Sequence, residues 1–219
     1  MNEAVVVAVN VGLPKSVPNG SRTVETGIFK NPVKGTVYLG RLGFAGDGQA
    51  DLKNHGGSDK AVCVYSMDRF AFWENGILPK LAPGAFGENL SIAGAAEEDF
   101  CIGDTFAIGE AVLQLSQPRQ PCFKLSVRYG VPELPEVVQE TGYSGFYFRV
   151  LQEGNIQAGD RIERLERHPA GMTVMRANEI KYKCKNDAEA IRSLLAVEEL
   201  ADAWRGPLAK RLEGLETQS

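Results

Sequence analysis

The pattern of apolar and polar positions changes character once along this chain. From residue 1 to about 168, the apolar runs are short, rich in β-branched and aromatic residues, and broken by Gly and Pro. Beyond that point, apolar positions recur three or four apart. The run AVVVAVNV (4–11) is continuously apolar and predicts a fully buried strand. TVYLGRL (36–42), KAVCVYS (60–66) and GFYFRVLQEG (145–154) predict further strands. AVLQLSQ (111–117) alternates, with Leu113 and Leu115 on one face and Gln114 and Ser116 on the other. Two short helices should interrupt the strands. MDRFAFWENG (67–76) would end at Gly76, and PELPEVVQETG (132–142) carries Pro135 in its first turn and Gly142 just past its end.

After HPAG (168–171) the periodicity is helical. Asn186 is placed to cap a helix whose third position is Glu189, close to a capping box, and Ile191, Leu194 and Leu195 then follow helical spacing. Leu200 and Trp204 stand four apart. Pro207 is expected to break or restart that helix before Leu208, Leu212 and Leu215 resume the pattern. Three such short helices are marginal alone in water and need a packing partner. The pattern as a whole predicts a mainly β, α+β fold. A barrel or sandwich with peripheral helices spans residues 1–168, and a small three-helix domain spans 169–219.

With 43% hydrophobic residues the chain can build a sizeable core, and a net charge of −4 gives no basic stripe of the kind nucleic acids attract. No apolar stretch approaches the ~18–20 residues that cross a bilayer, and the N-terminal run has neither a basic leader nor a cleavage site. A cytoplasmic chain without membrane or nucleic-acid partners is expected, so its four scattered cysteines should be reduced thiols. They contain no CxxC pair, which argues against structural zinc.

One thiol stands apart. In QPRQPCFKL (117–125), Cys122 follows Pro121 and lies near Arg119 and Lys124. Prolines stiffen the backbone on both sides, and neighbouring cations favour the thiolate, the reactive and metal-binding form. A buried structural cysteine is the plainer alternative. Cys63, inside a predicted strand, reads as core, and Cys101, Cys184 and His168 read as structural. The loop GDGQADLKNHGGSDKAV (46–62) offers His55, Lys53 and Lys60 to an anion among glycines that permit close backbone approach, or is simply a solvated hairpin. GAFGENL (84–90) is a polar turn holding Asn89, and TGIFKNPVKG (26–35) sets Lys30 and Lys34 around a proline.

In this order, TGIFKNPVKG, GDGQADLKNHGGSDKAV, GAFGENL, IGD (102–104), QPRQPC and FRVLQEGNIQAGD (148–160) resemble the MOSC domain, and more narrowly its YiiM-like members with a C-terminal three-helix domain. The resemblance implies a MOSC-type β-barrel. It also implies a molybdenum–pterin cofactor (molybdopterin) whose metal takes Cys122 as a protein ligand. Lys30, His55, Lys60, Asn89, Arg119 and Arg149 are the candidates for holding the rest of the cofactor. Related proteins reduce N-hydroxylated compounds, including N-hydroxylated base analogues, so the implied activity is a molybdenum-dependent oxidoreductase that removes oxygen from nitrogen. His55, or an acid such as Asp59, would serve the proton steps. No flavin or haem signature is present, so electrons would come from an external flavoprotein or haem protein, with the C-terminal helices as a possible docking surface. A cofactor or sulfur carrier without turnover is the alternative. A thiol hydrolase built on Cys122 and His55 is a third reading, and the series of motifs does not support it.

Overall fold

The computed structural model describes residues 4–51 and 56–217. Its first strand is β1 (Val5–Val11). A hairpin of β2 (Lys15–Asn19) and β3 (Arg22–Thr26) follows, then β4 (Asn31–Pro32), β5 (Val37–Gly40) and β6 (Gly43–Phe44). Next come β7 (Val62–Ser66), β8 (Leu90–Ala93), β9 (Thr105–Ile108), β10 (Ala111–Pro118), β11 (Phe146–Gln152), β12 (Gly154–Ile156) and β13 (Ile162–Glu166). Eight of these form one sheet in the order β13-β9-β10-β11-β7-β8-β1-β4. The sheet curls until its ends meet. Val6 N–H donates to Asp160 O (2.9 Å), Gly159 N–H to Val6 O (2.8 Å) and Ile162 N–H to Ala4 O (2.9 Å), so the segment leading into β13 closes on β1. This contact covers part of the β1 edge that an open sheet would leave free.

Pairing is antiparallel throughout this sheet except for β7 beside β8, which run parallel. A parallel neighbour requires a crossover. Here the crossover carries α1 (Phe70–Glu74) and the GAFGENL turn. The predicted 67–76 helix is thus shorter, a single 3-10 turn (Met67–Arg69) running into α1. The run 4–11 is not fully buried either. A register shift between Val6 and Ala8 turns Val7 outward, to 38% exposure.

The barrel interior is filled by Phe100, Phe106, Phe146 and Phe148, whose ring centroids lie 4.6–6.5 Å apart, with Leu113, Leu115 and Ile92. A second cluster of Tyr65, Trp73 and Phe86 sits under α1, α2 (Lys124–Tyr129) and α3 (Leu134–Thr141). Gly142 ends α3 at φ 75°, in the left-handed region that glycine enters without strain.

Past β13 the chain forms α4 (Val174–Tyr182), α5 (Ala188–Leu195) and α6 (Asp202–Glu216). Val174, Ala177, Ile191, Leu194, Trp204 and Leu208 belong to the same apolar core as the barrel, so these helices are held by the tertiary contact that their length demands. Two helix-end expectations are corrected. Asp187, not Asn186, caps α5, its carboxylate accepting the Ala190 N–H at 2.9 Å. Pro207 does not interrupt α6, which is continuous across it. Its ring faces solvent, while Trp204 and Leu208 on either side are fully buried. Two large apolar side chains bury roughly 2 kcal/mol each. That outweighs the ~3 kcal/mol a proline costs inside a helix.

Lys181 is buried in this helical layer, with its Nζ 4.0 Å from the Trp204 ring centroid and without a hydrogen-bond partner among the described residues. Burial, with Arg211 and Lys60 nearby, lowers its pKa to about 8. The folded state thus binds this proton more weakly than the unfolded chain, so the stability linked to Lys181 is full above the unfolded pKa and lost as pH falls through about 8. Lys181→Met should therefore stabilise the protein at pH 7 by on the order of 2 kcal/mol. Urea melts should show that gain fading by pH 10.5.

Candidate active site

Three turns line the candidate site, and α2 ties two of them together. Arg128 on α2 donates Nη1 to Ile28 O (2.6 Å) and to Gly84 O (2.7 Å), joining the 26–35 turn to the 84–90 turn. The Tyr129 hydroxyl donates to Ala85 O at 2.7 Å. Inside the second turn, the fully buried Glu88 carboxylate accepts Gly84 N–H (2.7 Å), Phe86 N–H (2.9 Å) and Ser91 Oγ–H (2.6 Å). Burial nevertheless holds its pKa above the usual carboxylate range. Cys122 sits just before α2, its carbonyl accepting the Leu125 N–H at 3.0 Å. The thiol is thus fixed to a helix that also clamps the two facing turns.

Cys122 forms part of the wall of two adjoining cavities. The inner one is a slot of about 70 Å³ between the three turns, and the outer one measures about 530 Å³. They share Lys60, Cys122, Lys124 and Tyr147. Lys30, Asn89 and Arg119 line the inner slot together with Cys63. Five of the seven sequence candidates therefore come together: Cys122, Lys30, Lys60, Asn89 and Arg119. Arg149 stands elsewhere. It donates Nε to Asp59 (3.0 Å), Nη1 to Gln114 (3.1 Å) and Nη2 to Glu199 O (2.7 Å), joining the barrel to the loop between α5 and α6. Asp59, held in that pair, lines neither cavity. His55 lies outside the described residues.

The grouped residues differ in what they can still bind. Asn89 accepts from Cys63 N–H (3.1 Å) and donates to Asp47 (2.8 Å) and Asn10 O (3.3 Å), so both amide hydrogens are engaged and its work is to position the strands. Lys30 pairs with Asp47, which also accepts Gly12 N–H at 2.9 Å. Burial lowers the Lys60 pKa, opposed by Asp59 and Asp51. Arg119 is different. It is 8% exposed, its Nη1 has no hydrogen-bond partner, and no carboxylate pairs with it among the described residues. A buried guanidinium with an unsatisfied donor, facing a cavity, is arranged for an incoming anion.

Sequence reasoning missed Tyr147, Gln117 and Phe123. Tyr147 pairs in register with Cys63 across β11 and β7, and burial, then the nearby Cys63, keeps its hydroxyl protonated well beyond neutral pH. Cys63 is buried as expected of a core cysteine, yet it also faces the slot, with its thiol pKa pushed up by burial. The strand pattern placed both residues in sheets without showing that their sheet positions open on a cavity.

The slot between the glycine-rich turns is thus lined by Cys122, Cys63 and a buried guanidinium that no carboxylate pairs with among the described residues. The MOSC domain family model matches residues 51–163, and the chain belongs to that family. Residues 172–215 match the YiiM-like, 3-alpha helix domain, which makes it a YiiM-like member. The chain is 48% identical to Bacillus subtilis YflK over 96% of its own length and 95% of that protein's. The crystal structure of YiiM from Geobacillus stearothermophilus superposes with a TM-score of 0.82 at 37% identity, covering 95% of this chain and 99% of that one. A Gibberella moniliformis protein named a reductase is 40% identical over 148 residues, 66% of this chain and 26% of its own length. MOSC domains are associated with molybdenum-cofactor binding. Among the described residues no helix is long and apolar enough to cross a membrane.

Proposed function

We propose that the chain is a molybdenum-cofactor-dependent reductase that removes oxygen from N-hydroxylated compounds, with N-hydroxylated purine analogues as the model substrate. The observation that carries this reading is the placing of Cys122 beside the unsatisfied Arg119 in the inner slot. The donor set fits such a group. No cluster of three His, Cys, Asp or Glu residues that could cage an ion occurs among the described residues. A cofactor that brings its own sulfur ligands needs only one soft donor from the protein, and Cys122 supplies it. The slot also leaves no room for extra side-chain atoms. A Cβ on Gly27 would come 2.6 Å from Gly48 O, and one on Gly87, at φ 75°, 2.7 Å from Ile28 Cγ1. Backbone can therefore approach a ligand closely there.

In this reading Cys122 Sγ ligates the metal, Arg119 and Lys60 hold anionic parts of the cofactor, and Lys30 and Asn89 keep the turns in place through Asp47. The bound group supplies the two-electron chemistry. The overall change is R–NHOH + 2 e⁻ + 2 H⁺ → R–NH2 + H2O, in which the N–O bond breaks and oxygen leaves as water. Tyr147, kept protonated by burial and by its contact with Cys63, would add a neutral polar group to the wall shared by both cavities. Electrons come from an external flavoprotein or haem protein. The reductase name of the fungal relative supports the reaction class.

The test is molybdenum and pterin content of protein purified from a cofactor-making host, with turnover of an N-hydroxylated purine by a reduced dye. Metal together with turnover is the expected result. Metal without turnover would instead favour a cofactor carrier, and neither metal nor pterin would overturn the reading.

A further inference from the structure

Lys60 lines both cavities, and the turn that carries it is slight. Ser58–Lys60 is a single 3-10 turn whose N-cap residue, Gly57, has no side chain to cap it. Within it, Lys60 N–H donates to Gly57 O at 3.0 Å. One turn fixes several backbone angles for one hydrogen bond, so it is too short to persist alone. Support comes from outside the turn and converges on Asp59.

The first support is Arg149 in β11. Its Nε donates to Asp59 Oδ1 (3.0 Å), and its Nη2 donates to Glu199 O (2.7 Å) in the loop between α5 and α6. Nη1 donates to Gln114 of β10 at 3.1 Å. A planar, rigid guanidinium that bridges these groups sets their separation. The second support is Ser116 in β10. Its Oγ lies 2.5 Å from Asp59 O, and its carbonyl accepts the Ala201 N–H of the same α5–α6 loop at 3.0 Å. Two routes thus run from one loop of the helical layer to the residue beside Lys60.

That loop is itself held firmly. Arg205 of α6 donates Nη1 to Leu195 O (2.7 Å) and Nη2 to Val197 O (2.6 Å), and Val197, Leu200 and Ala201 are buried. The Glu199 carboxylate lies 3.0 Å from His168 Nε2, on the segment that leads into the helices. We infer that the three-helix layer places a cation at the site. Its α5–α6 loop, acting through Arg149 and Ser116, holds the Ser58–Lys60 turn against the barrel and keeps Lys60 on the wall of both cavities as a donor to anions. Arg149 and Ser116 are positioning residues, and Arg205 supports them from the helical side. The inference rests on the cofactor reading only for the identity of the anion, and it gives the YiiM-like helices a part in the site.

Inorganic phosphate is the probe. Its affinity for the full-length chain, purified without cofactor, is measured by calorimetry in wild type, Lys60→Met, Arg149→Met, Ser116→Ala and Arg205→Met. The last three are also combined with Lys60→Met. Melting temperature and hydrogen exchange at the Lys60 amide are followed alongside. Lys60→Met should bind phosphate about tenfold more weakly, the effect of losing one charge-assisted contact. Arg149→Met, Ser116→Ala and Arg205→Met should each lose several-fold in affinity, with faster exchange at Lys60. In the Lys60→Met background the same three changes should alter affinity by no more than about twofold, because they act through Lys60. Side chains that serve stability alone would lower the melting temperature without that coupling. Ser116→Ala removes no charge and keeps the test decisive even if Arg149→Met folds poorly. Losses that add in the double variants, unchanged exchange at Lys60 in Arg205→Met, or phosphate binding that is absent or indifferent to Lys60→Met would overturn the inference. Coupled losses in a protein that takes up no molybdenum would leave the positioning standing and remove the cofactor reading.

Discussion

Cys122→Ala is expected to lower turnover of an N-hydroxylated purine by on the order of a thousandfold or more, as removal of a group on which the whole reacting assembly depends does. The fold should survive. Cys122 is only half-buried, in a turn anchored by α2, so the melting temperature should move little. A second readout separates a metal ligand from a thiol nucleophile. In cofactor-free protein Cys122 should react with iodoacetamide, whereas Cys63, held neutral by burial, should not. Loading the cofactor should protect Cys122, which peptide mapping by mass spectrometry would show. Equal labelling with and without cofactor would remove Cys122 from the coordination sphere. Turnover that persists in metal-free protein and stops on alkylation would instead revive the hydrolase.

Arg119→Met should act on the free and loaded proteins in opposite directions. In the free protein the guanidinium is buried with an unsatisfied donor and no carboxylate partner among the described residues. Replacing an uncompensated buried charge with an apolar side chain of similar length should stabilise that form by about 1–3 kcal/mol, a rise of several degrees in Tm. Cofactor retention should fall ten- to a hundredfold, the usual effect of losing one charge-assisted contact. Arg119→Lys, which keeps the charge but not the planar fork, should fall between. A free protein destabilised by Arg119→Met would show that the side chain serves packing and not ligand capture.

Much of the architecture is legible in the residues. The strands at 37–40, 62–66 and 111–118 follow from β-branched runs and alternation, and α3 follows from its proline start and glycine stop. What misled was local signal overruled by tertiary contact. Pro207 breaks an isolated helix, but α6 is pinned by Trp204 and Leu208, which no local pattern weighs against the proline. Asn186 and Asp187 are both good caps, and only the entry path into α5 selects between them. The site divides the same way. Cys122 and Arg119 announce themselves because Pro-flanked thiols and cations are unusual neighbours. Arg149 is a weaker candidate from its strand position, and three hydrogen bonds commit it to joining barrel and helices. Gln117 and Tyr147 are ordinary strand residues until a register slip, visible only in the paired sheet, turns a cavity toward them.

The closure of the barrel has a consequence for how the chain reaches this state. β1 takes β8 on one edge, but part of its other edge waits for residues 159–162. During synthesis at roughly 5–20 residues per second, that edge stays open for several seconds or more after β1 leaves the ribosome. Pairing across so long a stretch of chain is slow by nature. Until the ring shuts, a valine-rich edge is available to other nascent chains. The yield of folded protein should therefore depend more on temperature and expression rate than its finished stability would suggest.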